Sequence, residues 1–218
     1  MTPKPPRNLV ASIKGRLDQL ARKRGENIQI THIRYGVERF LHRLSKSPHR
    51  SRFVLKGAML FTAWMPDPFR PTQDLDLLGF GDDDVAAVAA SVAVICNQQA
   101  PEDGLRFDAD TIKAEAIRAK QDYGGVRVKL TAFLGRTRIP VQIDVGFGDA
   151  VTPAIAELEF PPLLDAPAPR VRAKPRALVP GVFTTIPVEA SEAETFQGPQ
   201  EFVEITKGMP TLEWTPKL

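Results

Sequence analysis

The chain has 218 residues, 43% hydrophobic and 25% charged, which is the composition of a soluble globular protein with one sizeable core. No apolar run reaches the ~18 residues of a membrane span, and the start, MTPKPPRNLV, has no apolar stretch behind its basic residues, so neither a spanning helix nor a secretory signal is expected. The single cysteine, Cys96, excludes an intrachain disulfide framework or cysteine zinc cluster, His32, His42 and His49 show no ligand spacing, and a cytoplasmic protein is the default. The net charge of +3 conceals an asymmetry: residues 1–52 carry 13 Lys and Arg against three acids, whereas the remainder is net negative. A basic front end points either to a polyanionic partner such as nucleic acid or to a solvated helical face.

Asn8 to Arg24 reads as an amphipathic helix, with Leu9, Ile13, Leu17 and Leu20 on one face and Gly25 as its stop. A second helix is expected over Thr31–Ser45, capped by Thr31, with Ile33, Val37, Phe40, Leu41 and Leu44 as its stripe. Phe53-Val54-Leu55 is a short buried strand, Lys56-Gly57-Ala58 a tight turn, and Met59–Met65 one or two helical turns. Pro66, Pro68 and Pro71 interrupt regular structure before a second strand at Leu75–Phe80. Asp82, Asp83 and Asp84 cap a helix running from Val85 to about Gln98. Extended segments follow near Ile112–Ala119, Val126–Leu134 and Arg138–Phe147. In the last two, apolar residues alternate with polar ones, the mark of strands with one buried face, and Gly135-Arg136 joins them as a hairpin turn. Half of the 20 prolines lie beyond Phe160, which suggests a loosely packed tail with at most a small strand near Phe183–Val188.

The strongest chemical signal is Arg70-Pro71-Thr72-Gln73-Asp74-Leu75-Asp76-Leu77. Carboxylates two residues apart on a strand project to one side, and like charges held that close repel unless a cation lies between them. Mg²⁺ suits a few carboxylates together with substrate phosphate oxygens. Asp144 is the natural third member, because Ile143 and Val145 point into the core and leave it on the opposite face. Three carboxylates around Mg²⁺ suit in-line phosphoryl or nucleotidyl displacement. The plainer reading is an acidic strand end facing solvent. The glycine turn ahead of the pair could present backbone N–H groups to phosphate, and Lys56 and Arg70 could neutralise a triphosphate. Without the nucleotide, these are a strand-end lysine and a loop arginine paired with Asp67 or the Asp pair. Asp149 reads as a turn acid just past the Asp144 strand, Cys96 as a packed core residue, and Phe61 with Trp64 as core.

Together, Phe53-Val54-Leu55-Lys56-Gly57-Ala58-Met59-Leu60-Phe61 and the Arg70–Leu77 motif resemble the nucleotidyltransferase core of the AbiEii/AbiGii toxin family, within the polymerase β-like nucleotidyltransferase superfamily. Gly57 and Asp74-Leu75-Asp76 match the superfamily pattern, and Asp144 in Val-Gln-Ile-Asp-Val fits its later carboxylate strand. Ala58 stands where Gly or Ser is usual. The resemblance covers roughly residues 31–175. It implies a toxin of a toxin–antitoxin or phage-defence pair that uses an NTP and Mg²⁺ to add nucleotides to RNA, with tRNA 3′ ends as acceptors and a cognate antitoxin as partner. The basic N-terminal helices would then contact RNA. The family's helical C-terminal region, with its lysine and further acidic motif, is not recognisable beyond Arg176, and neither Lys174 nor Lys207 can be assigned that lysine.

The expected fold is α/β (α+β), a small mixed sheet of four to five strands with packed helices. Residues 1–50 form a basic helical region, 51–160 the nucleotidyltransferase core and 161–218 a Pro-rich tail. Asp74, Asp76 and Asp144 are the expected catalytic and metal-binding residues. Lys56, Gly57, Ala58, Arg70 and Thr72 are the expected nucleotide-binding residues. The alternative is a truncated, inactive remnant that binds RNA or a partner protein. A nuclease site is a third reading.

Overall fold

Asn8 accepts a hydrogen bond from the Ala11 N–H and so starts α1 (Leu9–Arg24), which ends at Gly25 in the left-handed region, as the sequence predicts. These details come from a computed structural model that describes residues 8–64, 72–117, 124–148 and 154–175. The described residues belong to one compact unit, and a second unit, 176–218, lies wholly outside them. Arg70, Asp67, Asp149 and the suggested strand near Phe183–Val188 also lie outside the described residues.

α2 runs Ile28–Lys46, so it begins before the expected Thr31 cap. Asn27 is the cap, accepting from the Gln29 N–H at 2.8 Å, while Thr31 sits inside the helix and donates its hydroxyl to Glu26. The remaining elements are β1 (Phe53–Lys56), α3 (Met59–Trp64), β2 (Asp74–Gly79), α4 (Val85–Cys96), β3 (Leu105–Ile117), β4 (Gly125–Leu134), β5 (Thr137–Gly146), β6 (Ala156–Glu159) and β7 (Arg170–Ala173). Asp84 caps α4 by accepting from the Ala86 and Ala87 N–H groups. Among the described residues, no helix is long and apolar enough to cross a membrane.

The seven strands form one mixed sheet in the order β3-β4-β5-β2-β1-β7-β6. Seven strands exceed the four to five expected: β6 is a four-residue strand at the end of the expected core, and β7 falls in the Pro-rich segment that reads as irregular. β3 also begins earlier than Ile112, and an irregularity between Asp108 and Lys113 conceals its continuity. β2 and β5 are parallel; β1 is antiparallel to β2 and parallel to β7. One sheet face is lined by Leu75, Leu77, Val128, Val141, Ile143 and Val145, all almost fully buried.

α2 packs on β5 so closely that a Cβ on Gly36 would lie 3.0 Å from Ile139. The helix is buried from Thr31 through Leu44, arginines included. Arg39 pairs with Glu38 and donates to the Pro167 carbonyl at 2.9 Å, while Glu38 accepts the Leu163 N–H at 2.7 Å. Burial raises the Glu38 carboxyl above the usual range against the pull of Arg39. Arg43 forks onto Asp103 and reaches the Leu105 carbonyl, and the Tyr35 hydroxyl donates to the Asp103 carbonyl. Three of the 13 Lys and Arg at the front of the chain are therefore core residues. Arg34, Arg39 and Arg43 cannot meet RNA as the charge count suggests, although Arg16, Arg22, Lys23 and Arg24 on α1 are exposed.

Candidate active site

Alternation along β2 sends Leu75 and Leu77 into the core and leaves Asp74 exposed and Asp76 half-buried on the opposite sheet face. Ile143 and Val145 do the same for Asp144 on β5. The parallel β2–β5 register sets Asp76 directly beside Asp144, and the antiparallel β1–β2 register sets Lys56 beside Asp76. Residues paired across strands share a face, so the sheet assembles Lys56, Asp76 and Asp144 into one transverse row, with Asp74 one step away beside Gln142.

The Lys56-Gly57-Ala58 turn closes over this row. Gly57 has φ +72°, and a Cβ built there would stand 2.2 Å from Asp76 Oδ2, so a bare backbone is required twice over. The Ala58 backbone N–H hydrogen-bonds the Asp76 carboxylate. The amide that the turn was expected to offer to phosphate is thus directed to Asp76 here. The Lys56 ammonium passes over β2 to lie above Gly146, where a Cβ would come within 2.7 Å of its Nζ. Thr72 donates to the Asp74 carbonyl at 3.3 Å, supporting the entry to β2.

Burial, then the charges of Asp144 and Asp74, raise the Asp76 carboxyl above its ordinary range, while Lys56 and the Ala58 N–H oppose the shift. A carboxylate crowded by two others is a place where a cation relieves repulsion. The donor set fits Mg²⁺, which takes one or two protein carboxylates and fills its remaining positions with water and phosphate oxygen. Among the described residues, however, no group of three or more His, Cys, Asp or Glu side chains is arranged to hold a metal. On β4, a cation already engages one of these acids. Arg127 grips Asp144 through one guanidinium edge, Nε donating to Oδ1 at 2.8 Å and Nη2 to Oδ2 at 2.7 Å. This fork raises Arg127 even further above its usual range.

Arg127 is the site residue that sequence reasoning missed. Its signal was present in the hairpin turn. A two-residue turn at Gly135-Arg136 pairs Leu134 with Thr137, and counting back along both strands pairs Arg127 with Asp144. The alternation of β4 gives the face that Arg127 takes, and the hairpin register gives its partner.

The sequence profile of the family described as "Nucleotidyl transferase AbiEii toxin, Type IV TA system" matches residues 39–192, more than half of the chain. The chain belongs to the AbiEii family. The matched span contains Lys56, Gly57, Asp74, Asp76, Arg127 and Asp144, so the row across the sheet lies within the family's nucleotidyl transferase toxin region. No curated protein matches the chain. Among solved structures, it is similar to JHP933 from Helicobacter pylori, at 13% identity and a TM-score of 0.39, over 66% of this chain and 52% of that one. The chain thus spans about half the length of that protein.

Proposed function

We propose that this AbiEii-family chain is a Mg²⁺-dependent nucleotidyltransferase, the toxin of a toxin–antitoxin or phage-defence pair, which transfers a nucleotide from an NTP to the 3′ end of an RNA, with tRNA as the acceptor class. The observation that carries the reading is the in-register placement of Asp76 beside Asp144, with Asp74 on the same face and Lys56 over them. The family description supports it, and the cognate antitoxin and the NTP follow from that family.

In the reaction, the acceptor hydroxyl oxygen bonds to the α-phosphorus, the bond to the bridging oxygen breaks, and pyrophosphate leaves. Asp74 and Asp76 would hold the ion, with Asp144 completing the set when Arg127 releases it. Bound Mg²⁺ supplies charge stabilisation for the transferring phosphate. Lys56 neutralises phosphate charge, with Arg70 and Thr72 assigned to the same nucleotide on sequence grounds. Gly57 and Ala58 form the turn that orients Asp76. Asp144 takes the proton of the attacking hydroxyl.

An RNA acceptor is supported by the polar sheet face. Arg106 and Arg138 flank the Phe133 ring at 4.6 and 6.0 Å, and Lys113 and Lys129 lie between that cluster and the carboxylates. Basic side chains around an aromatic ring suit a single strand. Asp108 and Glu115 temper this charge through pairs with Arg106 and Lys129.

The test combines purified protein with each of four labelled NTPs, Mg²⁺ and total tRNA, beside an Asp74→Asn/Asp76→Asn control. Label entering RNA only with the wild type supports the reading. No label in RNA from a folded sample sinks it, and shortened RNA identifies a nuclease instead. A catalytically silent chain that binds RNA or a partner protein is the second reading. It is favoured by the engagement of Asp144 with Arg127 and would show RNA binding without incorporation.

A further inference from the structure

Two cations flank the two central acids of the row. Lys56 lies beside Asp76, and Arg127 beside Asp144. Both backbones of the second pair are pinned, because Val126, Val128, Ile143 and Val145 are buried on either side. The side chains are not pinned in the same way. Arg127 is 35% and Asp144 19% exposed, whereas the Arg43–Asp103 pair of the core is 4% and 0% exposed. A buried fork of the second kind is locked, since parting its members strands two charges away from water. The Arg127 fork opens toward solvent and the polar face, where a guanidinium can exchange a carboxylate for another bidentate anion at little cost.

The neighbours of Arg127 favour such an exchange. Across β4, its register partner on β3 is Glu115, which is well exposed and lies 3.5 Å from Lys129. Gln142, two residues before Asp144, points its amide at Asp144 Oδ2 from 3.5 Å. When Arg127 leaves, the neutral Gln142 amide remains beside Asp144.

We propose that Arg127 is a positioning residue that keeps Asp144 in reserve, holding the carboxylate in the nucleotide-free chain and releasing it to a divalent cation when nucleotide phosphates draw the guanidinium away. The proposal rests on the nucleotidyltransferase reading above and assigns it an order of events. Phosphate arrival and completion of the three-carboxylate set become one linked step.

Two binding measurements on the full chain test this without recourse to turnover. The first titrates Mn²⁺ in the absence of nucleotide. Removing the competing cation in Arg127→Gln is expected to tighten Mn²⁺ binding by about tenfold, and Arg127→Gln/Asp144→Asn is expected to return it to the wild-type value or below. The second titrates ATP in EDTA. Asp144→Asn frees Arg127 and is expected to tighten metal-free ATP binding, whereas Arg127→Gln weakens it. Arg127→Lys, which keeps the charge but loses the fork, should leave Mn²⁺ binding near wild type and so separate charge competition from a folding defect. Unchanged or weaker Mn²⁺ binding in a folded Arg127→Gln variant overturns the proposal, as does Asp144→Asn leaving ATP affinity unmoved. Failure of the underlying reading has a different signature: Asp74→Asn/Asp76→Asn would then bind Mn²⁺ as the wild type does.

Discussion

The Asp76 carboxylate occupies the space where a side chain on Gly57 would stand, 2.2 Å from an ideal Cβ, and Gly57 itself adopts a left-handed backbone. The β1 turn and the acidic strand are therefore fitted to each other. Gly57→Ala should cost about 1–3 kcal/mol of backbone strain and displace Asp76. Denaturant unfolding is expected to show a modest loss, while nucleotide incorporation falls much further than the loss of folded protein explains. Equal losses in both would mean that the turn is only structural.

Asp74→Asn and Asp76→Asn are expected to lower incorporation by more than about a hundredfold, beyond the usual effect of altering an outer-sphere partner of a metal site. Asp76→Asn should keep or raise the unfolding midpoint at neutral pH. The sign follows from the raised Asp76 carboxyl: stability from such a group is fully present below its unfolded pKa and is lost as pH rises through its folded pKa. Removing the charge at pH 7 removes that loss. A clear drop in midpoint for Asp76→Asn would contradict the crowding described here.

The carboxylate row was legible because alternation is a local signal. Leu75 and Leu77 around Asp76, and Ile143 and Val145 around Asp144, fix which face each acid takes without knowledge of the fold. Other features needed information that the local pattern does not carry. Arg39 and Arg43 have the composition of a surface stripe, and only the positions of Glu38 and Asp103 make them core residues. β7 has four residues in a Pro-rich stretch, and its strand character depends on pairing with β6 and with β1, the latter more than a hundred residues earlier. Arg127 lies between these cases, since its partner could be counted from the hairpin turn.

The Arg43–Asp103 pair, 4% and 0% exposed, should behave as a buried pair. Asp103→Ala leaves Arg43 uncompensated and is expected to cost about 3–5 kcal/mol in denaturant unfolding. Adding Arg43→Leu should recover much of that loss. If the double variant is as unstable as the single one, the hydrogen bond that the Asp103 carboxylate accepts from the Leu105 N–H matters more than the charges.

His42 is 2% exposed, and burial, followed by the charges of Arg39 and Lys46, lowers its pKa despite Glu102. A base with a lowered folded pKa contributes stability above its unfolded value, near 6.5, and loses it as pH falls. Unfolding free energy should therefore decline between pH 7 and pH 5, and His42→Gln should flatten part of that decline. An unchanged slope would move the acid sensitivity to another group.

The pairing of Leu55 with Ala173 also sets an order of assembly. β1 carries the turn over the carboxylates, yet it acquires its second strand neighbour only when the chain has been made as far as β7. At synthesis rates of 5–20 residues per second, that leaves an interval of about ten seconds between the two strands. Once β2 is made, and until β7 follows, β1 has β2 on one side and an unpaired edge on the other. The row of Lys56, Asp76 and Asp144 is thus complete in the chain before β1 can be braced on its second flank by β7.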